Sequence, residues 1–452
     1  MINHKATPYV AALILSILFY TIGYKLQRHE TAWLMLVYSF LFALYAWIIY
    51  KSTTEQLSFW IASAIGFRIL LLFSVPNLSD DFYRFIWDGR LLASGHHPFA
   101  HIPSFYIENQ LVLPGIDEGL YSNLNSKNYF TIYPPVAQFL FWLSAKLSTT
   151  VYGGLMVIKI SIFLAELGSI FLLKKLLTQF NIPVQRLLIY ALNPLVILEL
   201  CGNAHFEGIM IFFILLTFYF LAQQRLMPAA FFMAISIGVK LIPLIFLPAI
   251  LPLLGWKKAL LFYAATAAVF VLVCLPLLDR DIIIGFTNSI GYYFSKFEFN
   301  ASLYYLVRGL GYLFWGYNII QTAGWMLGIT AGVLIITVSL TPTVWSNDAN
   351  PDVFTNPDFL SFFHSTMWSL LIYFLFTTTL HPWYIVTLLA TTVLTGLRFG
   401  MIWTLVIFFT YAGYSLNSFE ENLWLVAFEY VIVLGYLAYE FLWEKNQSSL
   451  AV

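Results

Sequence analysis

The chain has 452 residues, of which 60% are hydrophobic and 19% aromatic but only 10% charged, and its mean hydropathy is +0.81. A soluble domain of this length does not carry so much apolar surface, and 22 basic against 22 acidic residues leave no net charge to recruit nucleic acid. Two cysteines, Cys201 and Cys274, match neither a zinc pattern nor a disulfide framework.

Long apolar runs recur from end to end. A spanning helix needs about 20 apolar residues to cross a hydrocarbon core of roughly 30 Å. Strict apolar–polar alternation is absent, so helices are expected and a barrel is not. The expected fold is all-α: a polytopic membrane protein of about fourteen transmembrane helices, one integral-membrane domain over 1–452. Two long outer-face loops, 77–130 and 279–318, contain interfacial helices.

Segments 8–24, 32–50 and 57–76 come first. The first follows a single lysine and lacks a small-residue cleavage site, so it reads as a retained helix. With the N-terminus inside, three crossings place Asp80 outside. The same count puts Lys25 and Arg28 outside, against the positive-inside tendency. The loop 77–130 ends at Tyr133, Pro134 and Pro135, where proline suits the first turn of a helix. That helix, 135–148, is short, carries Lys146 and is expected to lie along the interface.

The run 151–173 ends in Lys174 and Lys175, with Arg186 beyond, a cytoplasmic signature. Segments 187–200 and 206–222 form a hairpin whose tip reads CGNAHFEG. The run 227–254 is interrupted at Lys240 and Pro243, and Trp256, Lys257 and Lys258 mark another inner joint. A helix at 259–277, the loop 279–318, and helices at 319–340, 360–379, 383–397, 400–415 and 423–442 complete the chain, with both termini inside.

Charge concentrates in one stretch. Ser79 to Pro98 holds Asp80, Asp81, Arg84, Asp88 and Arg90 at a membrane boundary, where charge is costly and marks function. On this topology the Asp80 loop, Tyr133, His205, Lys240, the Asn300 loop and His381 share one face. Each residue also has a plainer role. Asp80 and Asp81 can cap a helix, with Arg84 and Arg90 as ion-pair partners. Asp88, in Trp87-Asp88-Gly89, reads as a structural acceptor in a turn. His205 and Glu207 can simply make a hairpin tip polar. Lys240 either snorkels or contacts phosphate from a broken helix. His96, His97 and His101 lack the companions of a metal site. His381 begins an interfacial turn, HPWY.

Taken together, the acidic pair followed by Tyr83, Arg84, Trp87, Asp88, Gly89 and Arg90, then Gly95 to Pro98, then Tyr133 to Pro135, resembles the GT-C superfamily of integral-membrane glycosyltransferases. Within it the sequence is similar to bacterial polyprenyl-phosphate-mannose-dependent mannosyltransferases and, more distantly, to the GPI mannosyltransferase catalytic subunit. Asn193-Pro194, the Gly202–Glu207 tip, Lys240 with Pro243, and HPWY agree. The likeness runs from about 77 to 385 and departs at two places. Either Asp80 or Asp81 matches the acidic motif, and the tip reads Ala204-His205-Phe206-Glu207 where Gly-His-x-Asp is usual.

The resemblance implies inverting transfer of a hexose, mannose by likeness alone, from a polyprenyl-phosphate donor to an acceptor hydroxyl on a glycan or glycolipid. Asp80 or Asp81 would act as base. Donor and acceptor contacts would come from Tyr83, Arg84, Asp88, Arg90, Tyr133, His205, Glu207, Lys240, Arg308 and His381. Phosphate is a good leaving group, so no general acid, cofactor or metal is required, although paired acids leave a divalent metal possible. Membrane lipids are the remaining partner. The location is a bacterial inner membrane with the site facing the periplasm or exterior. A carrier or flippase of a lipid-linked sugar is the alternative, and a non-catalytic assembly subunit a third.

Overall fold

The computed structural model describes residues 6–341, 357–416 and 418–450, so both chain ends lie outside the described residues. Helices make up 77% of the chain, and among the described residues extended pairing is limited to isolated bridges, as a lipid-embedded backbone demands. In chain order the principal helices are α1 (Thr7–Tyr24), α2 (Thr31–Lys51), α3 (Leu57–Leu72), α4 (Asp81–Ala93), α5 (Pro135–Leu147), α6 (Val151–Gln179), α7 (Glu207–Ala222) and α8 (Leu226–Val239). They continue as α9 (Leu247–Cys274), α10 (Arg280–Ser295), α11 (Leu303–Trp315), α12 (Ile320–Leu340), α13 (Pro357–Phe376), α14 (Ile385–Thr395), α15 (Phe399–Val406) and α16 (Leu423–Leu450).

Among the described residues eight helical segments are long and apolar enough to cross a membrane, and a ninth span arises if Val184–Ala191 and Pro194–Gly202, bent by 50°, count as one. The protein is therefore an all-α, multi-pass membrane protein. The gap from the expected fourteen comes from short apolar helices. At 1.5 Å per residue, α7 and α8 reach only about 20 to 24 Å, short of the roughly 30 Å core, and the apolar helices Pro382–Thr395 and Phe399–Gly413 are also shorter than a full span. The expected joint at Trp256 to Lys258 appears as a break inside α9, where Gly255 adopts φ +71°, a conformation that favours glycine.

Charges inside the bundle fix the end of α3, and with it the acidic stretch. Arg68 donates to Glu166 on α6 at 2.9 and 3.1 Å and to the Ala191 carbonyl at 2.6 Å, while Tyr190 donates to the other Glu166 oxygen at 2.6 Å. Lys159 sits among the carbonyls of Leu71, Ser74 and Gly202 at 2.6 to 3.1 Å. Buried charges persist only when so completely partnered.

The stretch 77–130 is largely helical, holding α4 and the short helices Pro103–Glu108 and Glu118–Ser122; 279–318 holds α10 and α11. α11 exposes Leu306, Leu310, Leu313, Phe314 and Trp315, a face suited to the lipid interface. The chain around Asn300, at φ +46°, is stitched to the C-terminal half. Its N–H donates to Glu421 at 2.5 Å, its side-chain amide to Glu429 at 3.1 Å, and Phe299 pairs with Thr378 and Leu380. This brings Phe297 and Phe299 against His381.

Candidate active site

α4 carries the charged stretch. An acid in its first turn and Arg90 in its last suit the helix dipole, and Phe82, Phe85, Ile86, Trp87 and Leu91 bury its apolar side. Gly89 lets α5 come close: a Cβ there would stand 2.1 Å from the Phe141 carbonyl oxygen. Asp80 occupies the N-cap, yet its side chain makes no capping bond; Ser79 Oγ instead accepts the Asp81 N–H at 3.3 Å. Both carboxylates are thus left for other partners.

Two arginines hold the loop in shape. Arg84 donates to Asp88 at 2.7 Å and to the carbonyls of Ser126 and Tyr129 at 3.2 and 2.9 Å. Asp88, fully buried, also receives the Gln138 amide at 3.1 Å. Arg90 is spent on the carbonyls of Gly115 and Thr149 at 2.6 and 2.7 Å. Burial, then the neighbouring Asp80 charge, push the Tyr83 phenol above its ordinary range.

Beside α4 lies a cavity of about 390 Å³. Asp80 pairs with Arg28 at 2.5 Å, and that guanidinium lies over the Tyr414 ring at 5.0 Å. Asp81 accepts only the Asn125 amide, at 2.8 Å, and has no cationic partner among the described residues. Lys240 forms an ion pair with Glu207 and lies 5.3 Å from the Tyr384 ring centre and 6.0 Å from that of Tyr133. Glu298, also in the lining, pairs with Arg308 at 2.6 Å.

A three-ring stack closes the floor: His381 lies on Trp383 (4.5 Å, 6°), whose other face meets His205 (3.7 Å, 14°). Burial lowers His381 to about 3, with Asp81 opposing and His205 and Lys240 adding to the shift, so the ring is neutral at physiological pH. His205 Nε2 stands 3.3 Å from Glu199, which receives Tyr411 Oη at 2.8 Å. Tyr129, Phe130, Tyr292, Phe297, Phe299 and Phe419 add aromatic wall.

Of the residues singled out in the sequence, Asp80, Asp81, Arg84, Tyr133, Lys240 and His381 line this cavity. Glu207, His205, Asp88 and Arg308 stand behind it, each against a lining residue, while Tyr83 and Arg90 lie away from the lining. The sequence reading missed Arg28, Asn125, Glu298 and Tyr414 as cavity residues. Arg28 had left a signal, as a basic residue on the predicted outer side.

The three nearby histidines do not converge. His101 stacks on Phe105 at 3.8 Å, His96 faces the Ser94 carbonyl, and His97 meets Asp279 and Asp281, with ligand atoms within 4.8 Å. His97 Nδ1 accepts the Phe99 N–H at 3.3 Å, so the proton sits on Nε2, which faces the Leu277 carbonyl and Asp279. In that tautomer Nε2 is a donor and not a metal ligand.

A bundle of apolar helices that closes one end over a cavity of acids, cations and aromatic rings is the layout of a membrane-embedded enzyme. Residues 5–255, more than half the chain, match the MptA_B family model, described as alpha-(1->6)-mannopyranosyltransferase, N-terminal domain. The chain belongs to this family, and with it to the GT-C-like mannosyltransferases. Comparison with curated proteins gives no match.

Proposed function

We propose that the protein transfers mannose, with inversion, from a polyprenyl-phosphate donor to a glycan or glycolipid hydroxyl, with Asp81 as the base. The observation that carries this assignment is the pairing of the lining acids. Asp80 is held by Arg28 and Glu298 by Arg308, whereas Asp81 has no cationic partner among the described residues. Asp81 takes the acceptor proton as the acceptor oxygen bonds to C1; the C1–O bond breaks and its electron pair leaves with the phosphate. Lys240 meets the growing charge on that oxygen, a point cation inside an aromatic wall. Metal is not called for in this scheme.

The cavity faces the exterior. Lys51 ends α2, Lys174 and Lys175 lie near the end of α6, Arg186 follows it, and Lys257 and Lys258 follow the break in α9; with Arg28 and Asp80 at the other ends of α2 and α3, this supports placing these basic residues in the cytoplasm and the cavity end outside a bacterial inner membrane. The isoprenoid tail lies along exposed apolar helix flanks at about 25 cal/mol per Å² buried.

The test offers purified protein in lipid either labelled polyprenyl-phosphate mannose or a nucleotide-activated mannose, with membrane-extract acceptor. Transfer from the lipid donor alone, with opposite anomeric configuration in the product, is expected. Use of the nucleotide donor, retention of configuration, or vesicle transport of the lipid without cleavage overturns the reading.

A further inference from the structure

Lys240 is not a free cation waiting for phosphate. It ends α8 in extended backbone (φ −151°, ψ 149°), and its Nζ already pairs with Oε1 of Glu207. Glu207 is fully buried in the first turn of α7, where the helix dipole favours an acid, and its other oxygen, Oε2, is buried with no hydrogen-bond partner among the described residues. The spacing is built in, because Ser236 Oγ on α8 donates to the Met210 carbonyl on α7 at 3.0 Å, one turn from each residue. An unsatisfied buried carboxylate oxygen is costly, and a glutamine would hold Lys240 in place without the charge.

We propose that Glu207 is a positioning residue that competes with the leaving phosphate for Lys240 and thereby governs product release. This rests on the polyprenyl-phosphate reading above. The donor is a phosphodiester with one negative charge. When the C1–O bond breaks, the electron pair stays on the phosphate, and the resulting monoester carries about −1.5 to −2 at pH 7. A lysine with no internal partner would hold this product more tightly than the donor and trap the enzyme after each cycle. With Glu207 charged, Lys240 lends its charge as the bond breaks and returns to its carboxylate as the product leaves.

The test uses the full chain in nanodiscs with polyprenyl phosphate as probe, measuring direct binding, single-turnover transfer and steady-state kinetics. Glu207→Gln is expected to bind polyprenyl phosphate about tenfold to a hundredfold more tightly, the worth of one charge-assisted bond. It should lower both kcat and the donor KM while the first turnover is no slower than in wild type, which shows as a burst. Glu207→Asp, which restores the charge, should fall between the two. Unchanged or weaker product binding in folded Glu207→Gln, or slowed single-turnover transfer without a burst, overturns the proposal and leaves the donor reading intact. If the variant does not fold, wild type decides. The proposal expects polyprenyl phosphate and its methyl diester to bind within about threefold of each other, and preference for the monoester beyond about tenfold overturns it. Failure of wild type to bind either lipid refutes the donor reading and the proposal with it.

Discussion

Replacing the two neighbouring aspartates one at a time separates chemistry from scaffolding. Asp81→Asn keeps the side-chain shape and an oxygen for the Asn125 amide, now 2.8 Å from Oδ1, but removes the proton acceptor. General-base catalysis is worth about 10² to 10⁴ in rate, or roughly 2.7 to 5.5 kcal/mol of barrier, so turnover falls by that factor while donor binding is kept. Asp80→Asn removes the partner of Arg28 in a pair whose side chains are each 34% exposed. Such a pair is worth about 0.2 to 1 kcal/mol, a loss of no more than about fivefold. The released Arg28 can drift toward Asp81, and Arg28→Gln added to Asp80→Asn removes that stray cation and brings the rate back toward wild type. Single-turnover transfer of labelled mannose in nanodiscs, with folding checked by size-exclusion chromatography, reads all three. An Asp80→Asn loss larger than that of Asp81→Asn, or Asp81→Asn within about tenfold of wild type, refutes the assignment of the base.

Other outcomes follow from the same geometry. Lys240→Met is expected to cut kcat/KM for the lipid donor by about tenfold to a hundredfold, the worth of one charge-assisted contact, and removing the partner of buried Glu207 should lower the melting temperature as well. Gly89→Ala drives a methyl into the Phe141 carbonyl and should destabilise the α4–α5 contact by about 1 to 3 kcal/mol or more, seen as a lower melting temperature or loss of folded protein. His381 titrates at about 3 in the folded chain against about 6.5 unfolded. As pH falls below about 6.5 the unfolded chain takes the proton first, so this contribution to stability is complete above that pH and lost toward pH 3. Melting curves from pH 7 to 4 should therefore fall more steeply for wild type than for His381→Gln.

Apolar run length and the charge in 79–98 made the helical membrane fold and the location of the cavity legible in the sequence. The count of crossings was less so, because α7, α8, α14 and α15 lie in apolar runs that read as spans, yet their helices are shorter than a full crossing. Among the charged residues, pattern identifies a side chain but not its acceptor. Arg90 looks like an anion contact in sequence, yet its partners are backbone carbonyls of Gly115 and Thr149, which no residue type announces. Arg28 lies 52 positions before Asp80, in the joint between α1 and α2, and only the course of α2 away and of α3 back to the same end brings them together. Glu207 reads as a hairpin-tip acid and proves to be buried, since the bent segment before it turns the tip into the protein.

The cavity draws its walls unevenly along the chain. Arg28, Asp80, Asp81, Arg84 and Lys240 all fall within residues 5–255, whereas Tyr292, Phe297, Phe299, His381, Trp383, Tyr384, Tyr414 and Phe419 come from beyond that boundary. The residues proposed to carry the chemistry thus come from the first stretch, with Tyr129, Phe130 and Tyr133 beside them, while most of the lining rings, together with Glu298, come from the later one. On the proposed mechanism, changes in the later stretch would redraw which acceptor fits with Asp81 and Lys240 kept in place, so exchanging the C-terminal half between family members would be a route to new acceptors.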